Sequence, residues 1–143
     1  MGPFARYPSL AGRGVFVTGG ASGIGAALVE AFHAQGGRVG FIDRDEASGR
    51  ALAERLAGVW FQVVDVRDAD ALSASVAAAQ DAVGPIRVLV NNVADDTRHA
   101  ALETGAVAWR ERLAVNLDPT FLAATAAQPA MAGAGGGSII NLA

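Results

Sequence analysis

The sequence predicts an α/β fold: a doubly wound parallel sheet between two layers of helices, α/β/α, ending on its fifth strand. Three observations predict it. Five short, nearly continuous apolar runs alternate with stretches of helical periodicity, and strands that are apolar on both faces belong to parallel sheets covered on both sides. Glycines and a Gly-Pro pair punctuate the alternation at Gly36-Gly37, Gly58 and Gly84-Pro85, where helices stop. The 143 residues are 52% hydrophobic with a mean hydropathy of +0.32, enough to bury one core. No linker or internal repeat divides them, so residues 1–143 read as a single domain.

The elements follow in order. Val15-Phe16-Val17 is the first strand, and Ile24 to Gln35 the first helix, with Leu28, Ala31 and Phe32 on one face. Val39 to Ile42 is the second strand. Asp45 to Leu56 is a helix with Ala47, Ala51, Leu52 and Leu56 inward. Trp60 to Val64 is the third strand, Ala69 to Val83 the third helix, and Ile86 to Val90 the fourth strand. A polar loop from Val93 to Gly105 leads into one long helix over about Val107 to Met131. A glycine turn, Gly133 to Gly137, then precedes the fifth strand, Ser138 to Leu142.

Composition excludes several functions. The net charge of -3 and pI of about 5.2 leave no basic stripe for nucleic acid and no cationic cluster for a membrane surface. No apolar run approaches the roughly 20 residues that span a bilayer. Met1 to Pro8 lacks the apolar stretch of a secretory leader, and Arg6 stands where a myristoylation signal needs Ser or Thr. A cytoplasmic location is therefore expected. Cys is absent, and His33 and His99 are far apart, so no metal site is expected.

The chemistry concentrates at strand ends. Thr18-Gly19-Gly20-Ala21-Ser22-Gly23-Ile24-Gly25 follows the first strand and opens a helix. In that context Gly19 allows a tight turn, Gly23 a close backbone approach to a pyrophosphate, and Gly25 close packing of helix on strand. Ser22 and Ile24 belong to the same turn, whose free N–H groups and positive dipole end suit a phosphate. This is the Rossmann pattern, and a dinucleotide is the expected ligand. Asp43 ends the second strand, 18 residues after Gly25. A carboxylate there accepts ribose hydroxyls and repels a 2′-phosphate, favouring NAD over NADP. Arg44 beside it softens that preference, and capping of the next helix is the alternative role for Asp43. Asp65-Val66 and Asn91-Asn92-Val93-Ala94 end the third and fourth strands, so their polar groups share one edge with the glycine turn.

With these motifs in this order and spacing, and with Asn116 and Gly137-Ser138-Ile139-Ile140-Asn141 beyond them, the chain resembles the short-chain dehydrogenase/reductase family from Leu10 to Ala143. The resemblance implies NAD(P)-dependent hydride transfer between cofactor and a small-molecule alcohol or carbonyl. It implies that Asp65 meets the adenine amino group, that Val66 meets its ring through backbone, and that Asn91 and Ala94 line the ribose and nicotinamide side. Asn116 would hold a water in a proton relay; the other reading is a polar residue that bends the long helix. Ala94 replaces the family's glycine and adds a methyl near the cofactor. A homo-oligomer is also implied, because the long helix resembles the element with which the family pairs subunits; its apolar Val115, Leu117, Phe121 and Leu122 are expected in the core, with a partner surface as the alternative.

The family's catalytic serine and Tyr-x-x-x-Lys have no counterpart here: the sequence has no lysine, and its one tyrosine is Tyr7. Since that pair supplies the acid/base, residues 1–143 alone are expected not to turn over. A bare edge at Ile139 to Leu142 leaves backbone groups unpaired, which leads to the expectation of further chain carrying those residues. A nucleotide-binding module without turnover is the alternative. A narrower resemblance joins the loop Ala94-Asp95-Asp96-Thr97-Arg98-His99, ahead of Trp109-Arg110-Glu111-Arg112, to aldose 1-dehydrogenases. It implies a sugar substrate; a solvated loop with Asp95-Asp96 capping or pairing with Arg98 is the other reading.

Overall fold

The computed structural model describes residues 5–142. Five strands, β1 (Gly14–Thr18), β2 (Arg38–Asp43), β3 (Trp60–Val63), β4 (Ile86–Asn91) and β5 (Ser138–Asn141), form one sheet in the order β3-β2-β1-β4-β5. Every pairing is parallel. Helices α1 (Gly23–Ala34), α2 (Glu46–Arg55), α3 (Ala69–Val83), α4 (Ala106–Asn116) and α5 (Asp118–Gly133) connect them. The opening residues 1–4, with half of the stretch read for a leader, and Ala143 lie outside the described residues.

Alternation along the strands explains their continuous apolar character. Val15 and Val17 face one side and join Val29, Val39, Phe41 and Leu52 under α1 and α2. Phe16 faces the other and joins Leu72, Val76, Leu89, Ala123 and Ala127 under α3 and α5. Successive strand residues point to opposite faces, so a strand covered on both sides must be apolar at every position. Phe16, Phe41, Ile42, Leu72 and Leu89 are fully buried. Among the described residues no helix is long and apolar enough to cross a membrane.

Two expectations are corrected. The helix expected over Val107 to Met131 is two helices, broken at Leu117, whose φ of -122° and ψ of -54° leave the helical path. Pro119 is the reason: its ring disfavours helical geometry at the preceding residue and it has no N–H to give. As a result Leu117 and Phe121 are exposed rather than in the core. In α2 the inward positions are Gly49 and Leu52, while Ala47 and Ala51 are exposed. A Cβ on Gly49 would come within 2.1 Å of the Phe61 ring, so the helix turns its smallest residue to the aromatic side chain.

The sheet order places a switch point between β1 and β4, because the chain moves outward one way to β3 and then returns to add β4 and β5 on the other side. Loops leaving these two strands diverge and open a crevice at their carboxyl ends.

Candidate functional site

A cavity of about 680 Å³ runs along that edge, touching the ends of β1, β2, β3 and β4 in turn. Its floor is the turn from Gly19 to Gly25. Ser22 is the extended N-cap of α1 and makes no side-chain cap. The first helical bond is from the Ala26 N–H to the Ser22 carbonyl, so the N–H groups of Gly23, Ile24 and Gly25 have no acceptor within the helix. Gly19 and Gly23 have φ of +68° and +53°, where a side chain is strained. A Cβ built on Gly23 meets nothing within 4 Å. The space above the helix start is thus open, and its donors point at an anion.

At the β2 end, Asp43 reaches back to the turn. One carboxylate oxygen accepts the Ala21 N–H at 2.9 Å and the other the Asp45 N–H at 3.0 Å. Each oxygen keeps a further lone-pair position. The cap of α2 is Asp45, which accepts the Ser48 N–H at 3.1 Å, so Asp43 is not spent on capping. Arg44 lines the same part of the cavity and forms no ion pair with another described residue.

At the β3 end, Asp65 and Val66 both line the cavity, but Asp65 has a partner that the sequence reading missed. The Arg67 guanidinium donates to both carboxylate oxygens. Those bonds, more than any other influence, hold the Asp65 carboxyl down at about 2. The signal was two residues away, a DxR triplet at a strand end. A depressed native value means that the stability gained from Asp65 is complete above the unfolded value near 4 and is lost as pH falls towards about 2. Asp65 is 39% exposed, so the effect is small. Arg67→Ala is expected to lower the urea midpoint slightly at about pH 7 and to leave it equal to wild type near about pH 2; a difference that persists in acid would refute the pairing.

The end of β4 divides its two asparagines. Asn92 points to β1: its carboxamide donates to the Thr18 carbonyl at 3.1 Å and the Gly19 carbonyl at 2.9 Å, while its backbone N–H donates to Thr18 Oγ1 at 3.0 Å. It therefore ties the switch point together beside the glycine turn. Asn91 is not brought to the cavity. Register pairs it with Asn141, and its carboxamide donates to Asn141 Oδ1 at 2.9 Å. Adjacent strand residues face opposite ways, so only one asparagine can reach Gly19. Ala94, Asp95 and Asp96 follow Asn92 along the cavity wall, which Ser22 to Gly25 also line.

Asn116 lies outside the cavity lining, whereas its neighbour Val115 is in it. The Asn116 carboxamide is committed to the chain: it accepts the Asp95 N–H at 2.7 Å and donates to the Asp95 carbonyl at 3.1 Å. The helix break frees other groups. Pro119 has no N–H for the Val115 carbonyl, and the Thr120 N–H bonds the Leu117 carbonyl at 3.0 Å instead of that of Asn116. The bend thus belongs to Leu117 and Pro119, and the hydrogen-bonding role to Asn116. Arg98, the expected partner of the loop acids, forms no ion pair with them; Arg112 of α4 does, at 2.6 Å from Asp95. Among the described residues no group of three His, Cys, Asp or Glu is placed to hold a metal ion.

Comparison with known proteins agrees with this geometry. The short chain dehydrogenase family model matches residues 13–143. A probable galactose dehydrogenase of Rhizobium meliloti is 45% identical over 97% of this chain and 56% of its own length. D-xylose 1-dehydrogenase of Caulobacter vibrioides is 40% identical over 96% and 55%. Galactitol 2-dehydrogenase of Cereibacter sphaeroides is 44% identical over 88% and 50%. The chain spans about half the length of these curated relatives. With a family match over nearly all its residues, and with the glycine turn, parallel sheet and carboxyl-edge cavity in place, the chain belongs to the short-chain dehydrogenase family.

Proposed function

We propose that this chain binds NAD along the carboxyl edge of its sheet, as the single dinucleotide-binding domain of a dehydrogenase acting on an aldose or a related polyol. The observation that carries the reading is the open helix start: three N–H groups without helical acceptors, beside open space in which a Cβ on Gly23 would meet nothing within 4 Å. These groups would hold the pyrophosphate. The spare lone pairs of Asp43 would accept ribose hydroxyls, and its charge favours NAD over NADP. Asp65 would receive the adenine amino group by sharing its oxygens with Arg67, and Val66 would lie against the ring. Asn92 keeps the glycine turn in place from β4, and Ala94 would border the nicotinamide side.

Bound NAD would supply the hydride acceptor for an alcohol carbon. This chain's own contribution on that side is positional. Asn116 holds the loop backbone at Asp95, and the carbonyls freed beside Pro119 would accept hydrogen bonds from a water in a proton relay. The sugar class rests on the relatives, whose names specify galactose, D-xylose and galactitol, and on the polar loop at the cavity wall. A second reading, nucleotide binding without turnover by residues 1–143 alone, is favoured by one observation. There is no lysine, and Tyr7 donates its N–H to Gln35 at the C-cap of α1, the opposite end of that helix from the glycine turn.

Titration with NADH, followed by the fluorescence of the nucleotide, is expected to saturate and to be reversed by NAD. Failure to bind either nucleotide would overturn both readings. Adding D-galactose or D-xylose with NAD then separates them, since only a dehydrogenase produces NADH.

A further inference from the structure

The loop after β4 carries two adjacent acids, and the fold treats them differently. Asp95 is engaged from every side. Asn116 holds its N–H and carbonyl. Thr97 gives its carboxylate a backbone N–H at 3.1 Å and a hydroxyl at 2.6 Å. The Arg112 guanidinium lies 2.6 Å from its other oxygen. Asp96 lines the same cavity yet has no hydrogen bond or ion pair with another described residue.

Arg112 makes a second contact. Its guanidinium donates to His99 Nε2, since arginine has no acceptor. One side chain therefore binds two points of the loop, residues 95 and 99. Asn116 stands one turn further along α4, on the same face at i+4, and Val115 between them lines the cavity. Helix α4 buries none of its own residues. Its grip on the loop is therefore polar, and the wall formed by Asp95, Asp96 and Val115 depends on it.

We propose that Arg112 is a positioning residue: by holding Asp95 and His99 to α4 it presents Asp96 to the cavity as the carboxylate that accepts a substrate hydroxyl. The role given to Asp96 rests on the aldose or polyol reading above. A carboxylate with its lone pairs free accepts two neighbouring hydroxyls, as a vicinal diol offers them. Asp95 cannot serve, since its oxygens are already occupied. Arginine suits the holding task because its planar fork reaches two acceptors in different directions, which the single ammonium of lysine does not.

The test uses the full chain with NAD and D-galactose or D-xylose. Asp96→Asn and Arg112→Ala are each expected to raise KM for the sugar about tenfold, with kcat and the Kd for NADH within about twofold. Arg112→Lys is expected to recover little. Because Arg112 acts through Asp96, the double variant is expected to be no worse than Asp96→Asn alone. Additive effects, or a Kd for NADH that moves together with KM, would overturn the proposal. Hydrogen exchange over residues 94–100 reads the clamp without turnover: it should quicken in Arg112→Ala while the melting temperature holds. Unchanged exchange also overturns it. If the wild-type protein binds NADH and oxidises no sugar, the calorimetric Kd for D-galactose or D-xylose in the presence of NADH takes the place of KM, and a Kd that Asp96→Asn leaves unchanged overturns the role of Asp96, while exchange decides whether Arg112 holds the loop.

Discussion

Gly25→Ala is expected to lower the melting temperature by about 10 °C, and Gly23→Ala to lower it by less but to cost most of the affinity for NADH. The two glycines sit two residues apart and do opposite work. A Cβ on Gly25 would stand 1.9 Å from the Gly19 carbonyl oxygen and 2.6 Å from Asn92 Nδ2. The first is backbone, and the second is fixed by two hydrogen bonds to β1 and its turn. Neither can yield cheaply, so the cost lies at the upper end of overpacking penalties, about 3 kcal/mol, which for a chain of this size is a shift of about 10 °C. At Gly23 a methyl clashes with nothing, and its cost is the left-handed φ, about 1–2 kcal/mol. It would instead occupy the space over the free N–H groups. A loss of at least about tenfold in NADH affinity is expected. Thermal melts and nucleotide titrations of both variants check the pair; an unchanged Kd in Gly23→Ala would remove the phosphate role from this turn.

Asp43→Asn is expected to shift the ratio of NADPH to NADH affinity by about 100-fold, or ~2.7 kcal/mol. Two unit charges about 4 Å apart interact by about 4 kcal/mol near a protein surface, and the 2′-phosphate of NADPH would lie beside this carboxylate. Arg44, on the same stretch of cavity without an ion pair, would then face the phosphate unopposed. The change also has a structural cost. Asp43 accepts two backbone N–H groups, from Ala21 and Asp45, and a carboxamide presents a donor to one of them. About 1–3 kcal/mol of stability should go with it. Titration with both nucleotides at matched folded fractions checks the shift. An unchanged ratio would mean that the ribose hydroxyls lie elsewhere, whatever the change in stability.

Much of this protein was legible in sequence because its signals are local. Apolar runs separated by glycine stops marked the five strands, with bounds off by a residue or two. The triplet of glycines after the first strand located the helix start, since strand, turn and helix are contiguous there. Asp43, Asp65 and Ala94 were placed on the cavity by one rule, that strand ends share an edge. Side-chain partners were harder. Arg67 was two residues from Asp65 and went unread, because a nearby opposite charge in sequence does not say which way it folds. Arg112 reaches Asp95 across 17 residues, so pairing of Asp95 with Arg98 looked equally good.

The sequence alone determined the fold class, the family and the edge that carries the cavity. Each follows from periodicity and from backbone demands that only certain residues meet. Tertiary structure decided three further things. Sheet register sent Asn92 to Gly19 and Asn91 to Asn141, which one strand by itself cannot express. Pro119 split the long helix, and only the folded chain set Val115, next to the break, against the cavity. The contact of α4 with the loop chose which of two adjacent acids would be bound and which left open. All three depend on contacts between distant segments, and such contacts form only when the sheet brings its strand ends together.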